Sequence, residues 1–212
     1  MIYLMRHGAD APDRYGGWSD FGLTDVGKEQ VREARLQLLN KGITEIYSSD
    51  LARAKETAQL VAEYLGLPVI YLPEFRESNN GYLAGMLKEE AARKYPGKYW
   101  NNLGWEELWP GGESPQMFYQ RIRTAWYEFK DKVHGKTVLL VSHGGVMNIV
   151  FDYLFMVIFD MGIAGAGFGT GIGYLIPAIT GLIVFSKKSG TLSFVKPLID
   201  FKVLGESCIN GS

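Results

Sequence analysis

Short apolar segments alternate with longer amphipathic segments along most of the chain, and each apolar segment has the length of a strand. In the longer segments apolar residues recur every three or four positions, which is typical of helices packed on one face. Strands that alternate with helices favour an α/β fold with a mostly parallel sheet. The predicted strands cover residues 2–5, 44–48, 69–72 and 137–141, and the predicted helices cover about 26–40, 54–65, 115–133 and 144 onward.

The same pattern predicts how the layers are arranged. We expect a three-layer sandwich in which the central sheet is flanked by helices on both faces. Near the C-terminus, the apolar segments 182–186 and 191–196 are joined by Lys187-Lys188-Ser189-Gly190. This pattern predicts a hairpin that adds an antiparallel edge to the sheet.

The length of 212 residues fits a single domain, which we place at residues 1–212. Turn-forming residues interrupt the alternation of strands and helices in two places, Asn79-Asn80-Gly81 and Pro110-Gly111-Gly112. We therefore expect a lid-like insertion at about 73–115.

Composition narrows the classes of function. Lys and Arg number 22 against 23 Asp and Glu, and this net charge of -1 predicts no nucleic-acid partner. Cys208 is the single cysteine, which excludes a disulfide framework and fits a reducing compartment. Met1 leads directly into the first predicted strand without the pattern of a secretory signal. These features predict a cytoplasmic protein.

Residues 161–185 carry no charge and are long enough to match the length of a membrane span. However, glycine stands at every second position from Gly165 to Gly173, and each glycine costs about 1 kcal/mol inside a helix. We therefore expect a buried helix, a tight glycine loop and a core strand that closes the sheet. A membrane contact or a homodimer contact is the alternative.

Histidine is rare in this chain, and two of its three histidines follow predicted strands. His7 lies in Arg6-His7-Gly8, and His143 lies in Ser142-His143-Gly144-Gly145. Ligands of open α/β sheets bind at the carboxyl ends of the strands, where both side chains fall. His134 instead stands in a predicted surface turn.

Further residues at the same edge suit an anionic ligand. Arg53 falls in the first turn of a predicted helix, where backbone N–H groups also favour phosphate; a solvated arginine paired with Asp50 or Glu56 is the alternative. Glu77 follows the third strand, with an exposed loop glutamate as the alternative. The N–H group of Gly144 is free to turn toward an anion.

Together these segments resemble the histidine phosphatase superfamily, whose fold is that of the phosphoglycerate mutases. The matching segments follow the family's order over about residues 1–150. They are Leu4-Met5-Arg6-His7-Gly8, Gly17-Trp18-Ser19-Asp20, Ser48 to Ala54, Phe75-Arg76-Glu77, Gly111 to Ser114 and Ser142 to Gly145.

The resemblance implies that His7 is the nucleophile and forms a phosphohistidine. It also implies that Glu77 donates the proton, while Arg6, Arg53 and His143 hold the phosphate, with His143 belonging to the catalytic set as well. Glu77 must be protonated at first, so we expect it to be partly buried. Two arginines and a histidine suffice to stabilise a phosphoryl group, so we expect no metal and no cofactor. The expected partner is a small phosphorylated substrate.

Three functions remain open. Mutases of this family carry an inserted segment with paired arginines, whereas Arg93 is the only arginine between Gly85 and Gly111. An open site that admits water favours a hydrolase over a mutase. The third alternative is a non-catalytic module on the same fold. Aromatic residues such as Tyr15 and Trp109 either line the lid side of the site or pack within it.

Overall fold

The central sheet has four strands: β1 Ile2–Arg6, β2 Glu45–Ser48, β3 Val69–Tyr71 and β4 Val138–Ser142. They are seen in a computed structural model that describes residues 1–99, 102–165, 167 and 171. All pairings are parallel, and the strand order is β1-β4-β2-β3. Strand β4 is buried along its whole length, as its apolar sequence predicts for a strand covered on both faces. The expected α/β fold with a mostly parallel sheet is confirmed.

The described residues form five α-helices of seven or more residues. They are α1 Asp25–Arg35, α2 Ala52–Leu65, α3 Lys88–Lys94, α4 Pro115–Lys132 and α5 Gly144–Tyr153. The start of α4 agrees with the sequence, because Ser114 Oγ accepts the N–H of Met117 and Pro115 occupies the first turn. The end of α2 also agrees, since Gly66 takes a left-handed conformation with φ 69°.

Two apolar clusters pack on opposite faces of the sheet. Leu140 contributes to one cluster with Phe118 and Phe129 of α4, while Leu139 contributes to the other with Ala58 of α2. Neighbouring residues of a strand point to opposite faces, so Leu139 and Leu140 join the sheet to both helical layers. Both are fully buried, and each contributes about 1.5–3 kcal/mol to folding. The three layers predicted from the sequence are therefore present.

Helix α1 is shorter than the sequence predicted. The pattern indicated a helix to about residue 40, but the α-helix ends at Arg35 and one 3-10 turn, Leu36–Leu38, follows. Leu36 and Leu39 are 60% and 55% exposed. Leu38 still packs against the core, but Leu36 and Leu39 lack the burial that would continue the helix.

The segment expected as an insertion contains α3 and two short 3-10 turns, Pro73–Phe75 and Gly81–Leu83. It has a small core of its own, formed by Leu83, Ala91 and Trp109. The sequence pattern did not predict a helix at α3. Residues Met1–Thr170 form one compact unit, and the extent of the domain to residue 212 stays a prediction.

The chain after α5 departs from expectation in its described part. A π-helical turn, Leu154–Ile158, follows α5, and residues 162–165 are helical where a glycine loop was expected. The predicted burial is wrong here, since Ile158, Phe159 and Ile163 are 58%, 59% and 89% exposed. The wider π turn breaks the 3.6-residue spacing that keeps Val146 and Val150 against the sheet.

The predicted hairpin at 182–186 and 191–196 lies outside the described residues, as does the expected core strand. Within the described ranges, none of the helices has the length and apolar character needed to cross a bilayer.

Candidate active site

His7 and His143 meet because their strands are neighbours in register. Arg6 pairs with Ser142 across β1 and β4, and the N–H of His7 donates to the carbonyl of Ser142 at 3.1 Å. Each histidine is the first residue after its strand. Their ring centroids lie 5.2 Å apart with an interplanar angle of 55°. The structure therefore brings together the two histidines that follow predicted strands, while His134 is exposed as expected.

The hydrogen bonds of His7 define its tautomer. Its Nδ1 lies 2.7 Å from the carbonyl oxygen of Gly8, which can only accept, so Nδ1 carries the proton. Its Nε2 accepts the Nε–H of Arg53 at 3.3 Å. Burial above all, with the charges of Arg53 and Arg6 acting in the same direction, lowers the pKa of His7 from 6.5 to about 4. At neutral pH the ring is uncharged, and Nε2 holds the free electron pair.

Arg53 is buried beside His7 rather than solvated. It stands in the first turn of α2, is 2% exposed, and donates to the carbonyl of Gly17 at 2.7 Å. It also donates to Ser19 and forms an ion pair with Asp10 at 3.4 Å. The alternative of a solvated arginine paired with Asp50 or Glu56 is wrong.

His143 is fully buried directly after the end of β4. Its Nε2 lies 2.8 Å from the Oγ of Ser49, while its Nδ1 is buried and has no hydrogen-bond partner among the described residues. Burial, followed by the charge of Arg53, lowers the pKa of His143 well below its usual value. His143 is thus a neutral imidazole with one buried ring nitrogen that has no hydrogen-bond partner among the described residues.

Glu77 is half-buried and hydrogen-bonded, so the exposed-loop alternative is wrong and the expected partial burial is confirmed. Its Oε2 accepts the N–H of Gly145 at 3.1 Å, and its Oε1 accepts the N–H of Ser78 at 3.0 Å. These bonds hold the carboxyl group beside the N-terminus of α5. Its backbone carbonyl accepts from Trp18 Nε1 at 2.7 Å, which fixes the loop.

A second ion pair supports the same loop. Arg121 of α4 binds Glu113 at 2.6 Å and also donates to the carbonyls of Glu74, Arg76 and Glu77. Because one guanidinium satisfies three loop carbonyls and a carboxylate, the position of Glu77 depends on Arg121.

A cavity of about 370 Å³ opens next to these groups. Arg6, Glu77 and Gly144 line one side of it. The side chain of Arg6 is close to Gly144, since a Cβ placed on this glycine would lie 3.9 Å from the guanidinium carbon. The remaining wall is formed by Tyr15, Gly16, Gly17, Ser78, Asn80, Trp109, Gly145 and Asn148.

A second cavity, of about 590 Å³, lies beside Ile2, Leu4 and Trp126 and is lined mostly by apolar atoms. None of the predicted site residues lines it. Its larger size therefore does not mark it as the reactive site.

Three residues of the site, Asp10, Ser49 and Arg121, were not predicted from the sequence. Ser49 had a usable signal, because it follows β2 at the edge of the sheet where the histidines lie. Asp10 and Arg121 had none, because their contacts depend on how a loop and a helix fold back onto the strand ends.

Comparison with known proteins agrees with this geometry. Residues 2–162 match the family model of the histidine phosphatase superfamily (branch 1). Phosphoglycerate mutase-like protein 4 of Arabidopsis thaliana is 33% identical over 159 residues, which are 71% of this chain and 69% of that protein. The probable phosphoglycerate mutase GpmB of Yersinia pestis (strain Pestoides F) is 33% identical over 162 residues, 72% of this chain and 74% of that protein.

Solved structures of phosphatases also resemble this chain. The α-ribazole phosphatase of Shigella flexneri superposes with a TM-score of 0.63 at 28% identity, covering 73% of this chain and 79% of that one. A mycobacterial glucosyl-3-phosphoglycerate phosphatase superposes with a TM-score of 0.60 at 28% identity, covering 73% and 78%. With the family model matched over most of the chain and the paired histidines at the strand ends, the protein belongs to the histidine phosphatase superfamily.

Proposed function

We propose that this protein is a phosphatase that hydrolyses a small phosphomonoester through a phosphohistidine at His7. The observation that carries the proposal is the state of the His7 ring. Nδ1 is tied to the Gly8 carbonyl, and the low pKa leaves Nε2 unprotonated, with its electron pair facing Arg53. A neutral imidazole nitrogen in this state is a competent nucleophile.

The phosphate is held by Arg6, Arg53, His143 and the N–H of Gly144. A phosphoryl group in transfer carries negative charge on its equatorial oxygens, which fixed positive groups stabilise. Arg53 is already oriented by Gly17 and Ser19, so it does not need to reorganise when substrate binds. The free ring nitrogen of His143 donates to a phosphoryl oxygen when it carries the ring proton.

Glu77 moves the proton. In the first step Nε2 of His7 forms a bond to phosphorus, the ester P–O bond breaks, and the leaving oxygen takes the proton of the Glu77 carboxyl group. In the second step water attacks phosphorus and gives a proton to the Glu77 carboxylate. The P–N bond then breaks, which returns the electron pair to His7 and releases phosphate.

The comparisons support phosphatase activity at the level of family, since the solved relatives named above are phosphatases. The curated relatives carry the names of mutases, so phosphoglycerate interconversion is the second candidate. We favour hydrolysis because, among the described residues, Arg6 is the one cation that lines the cavity, and the phosphate requires it, so none remains to hold a carboxylate during a second transfer.

Hydrolysis of p-nitrophenyl phosphate in the presence of EDTA tests the proposal. We expect turnover by the unmodified protein, loss of turnover in His7→Ala, and an acid-labile, alkali-stable phosphoprotein after quenching. His134→Ala removes an exposed histidine and serves as the matched control. Unchanged turnover in His7→Ala would exclude His7 as the nucleophile. Efficient interconversion of phosphoglycerates upon addition of 2,3-bisphosphoglycerate would establish the mutase instead.

A further inference from the structure

We infer that the cavity selects phosphomonoesters of neutral, hydroxyl-bearing alcohols and disfavours esters whose alcohol carries a second anionic group. This inference rests on the proposed function and specifies its substrate class. Apart from Arg6, Glu77 and four glycines, the residues that line the cavity are neutral and polar or aromatic: Tyr15, Ser78, Asn80, Trp109 and Asn148. Within the described part of the chain, Arg6 is the one cation that lines the cavity, and the phosphate requires it.

Three further arginines do not line the cavity and have other partners. Arg14 donates to the carbonyl of Gly85 at 2.9 Å. Arg76 makes two hydrogen bonds to the carboxylate of Asp50, at 2.6 and 2.5 Å. The third, Arg121, is bound by Glu113 and by three loop carbonyls, as described above. A carboxylate or second phosphate on the alcohol would lose its water in a cavity whose lining has no cation besides Arg6, which is costly.

Two buried polar atoms of the cavity residues favour a hydroxyl-bearing ligand. Ser78 and Trp109 are 4% and 2% exposed, and neither Ser78 Oγ nor Trp109 Nε1 has a hydrogen-bond partner among the described residues. An unpartnered buried polar atom costs free energy, so both residues have hydrogen-bonding capacity that the described residues leave unused. A hydroxyl group both accepts and donates, so it matches a cavity lining made of serine, asparagine and tyrosine side chains.

Size is consistent with this class. A volume of about 370 Å³ lies at the small end of ligand pockets and suits an alcohol of sugar size rather than a polymer. The ring of Tyr15 adds an apolar face with a neutral hydroxyl group, because burial raises the pKa of this phenol.

A matched pair of substrates tests the inference. Glycerol 3-phosphate and 3-phosphoglycerate differ in a hydroxymethyl group replaced by a carboxylate. We expect kcat/KM to be about 100-fold higher for glycerol 3-phosphate than for 3-phosphoglycerate, because a charge left unpaired in a binding site lowers kcat/KM by about this factor. A ratio near one or a preference for 3-phosphoglycerate overturns the inference, as does cleavage of neither ester by a preparation that hydrolyses p-nitrophenyl phosphate. Failure to hydrolyse p-nitrophenyl phosphate overturns the proposed function itself.

A charge added to the cavity gives a second test. Asn148 lies on α5 and lines the cavity, so Asn148→Arg adds a second cation to the cavity lining. We expect the preference for glycerol 3-phosphate to fall by about tenfold. Gln120→Arg adds the same charge at an exposed position of α4 outside this cavity and should leave the preference unchanged. An equal change in both variants, or no change in Asn148→Arg, contradicts the inference.

Discussion

Arg53 donates its Nε–H to Nε2 of His7 across 3.3 Å, so the arginine contacts the nitrogen that we propose as the nucleophile. The same guanidinium is held by Gly17 and Ser19 from a loop that precedes it by more than thirty residues. A single buried side chain therefore joins His7, at the end of β1, to the loop that follows this strand. In the proposed reaction it orients the nucleophile and supplies positive charge for the phosphate.

Arg53→Lys should reduce kcat/KM for p-nitrophenyl phosphate by about 10²- to 10³-fold, the effect of removing one oriented donor from a transition state. Lysine keeps the charge but lacks the planar fork that reaches His7, Gly17 and Ser19 together. Steady-state kinetics check this expectation. Arg123→Lys, at an exposed position of α4, is the control. A decrease in kcat/KM of less than threefold in Arg53→Lys would contradict the role of the planar guanidinium group.

The low pKa of His7 makes stability depend on pH. This pKa is about 4 in the folded protein against 6.5 for a histidine in the unfolded chain, so the unfolded chain binds more protons between these values. The free energy of unfolding should therefore fall as the pH drops from 6.5 to 4, by at most about 3 kcal/mol from this residue. Urea unfolding at pH 7 and pH 4 measures the loss. In His7→Gln the loss should be smaller, and equal losses in both proteins would contradict the assigned state of His7.

Most of the fold could be predicted because its signals are local. The apolar segment at 137–141 predicted a buried central strand, and Ser114-Pro115 predicted the start of α4, both within one residue. The meeting of His7 and His143 could also be predicted, because parallel strands end at a common edge. Those inferences need only periodicity and strand direction.

Other parts of the site depend on contacts that no local pattern encodes. The burial of Arg53 depends on a loop carbonyl at Gly17, and the position of Glu77 depends on Arg121 in a helix 44 residues later. The sequence did not predict that the residues after α5 are exposed, because the apolar composition of this region does not indicate the π turn at Leu154–Ile158. For Arg53 and Glu77, tertiary contacts override the local sequence propensity. For the residues after α5, the change of helical pitch at the π turn overrides it.

Glu77→Gln should separate substrates by the quality of their leaving group. An alkoxide needs a proton as it leaves, so we expect about 10²- to 10⁴-fold loss of kcat with glycerol 3-phosphate. With p-nitrophenyl phosphate, whose phenolate leaves without a proton, the rate of the first step should fall much less. Single-turnover kinetics on both esters measure this difference. Glu74→Gln removes an exposed carboxylate three residues away and serves as the control; equal losses on both esters in Glu77→Gln would exclude proton donation.

Ser49→Ala should show what the hydroxyl group contributes to His143. The ring is fully buried, and Ser49 Oγ is its one hydrogen-bond partner in the described residues, at 2.8 Å from Nε2. Removing this oxygen leaves both ring nitrogens unpaired, so the free energy of unfolding should fall by about 1–3 kcal/mol. The ring should also lose its fixed orientation, which lowers kcat more than it raises KM, because a misplaced donor stabilises the transition state less. Ser49→Thr keeps the hydroxyl group and should recover part of both losses in urea unfolding and steady-state kinetics. A Ser49→Ala protein as stable and as active as the unmodified one would show that His143 is oriented by packing alone.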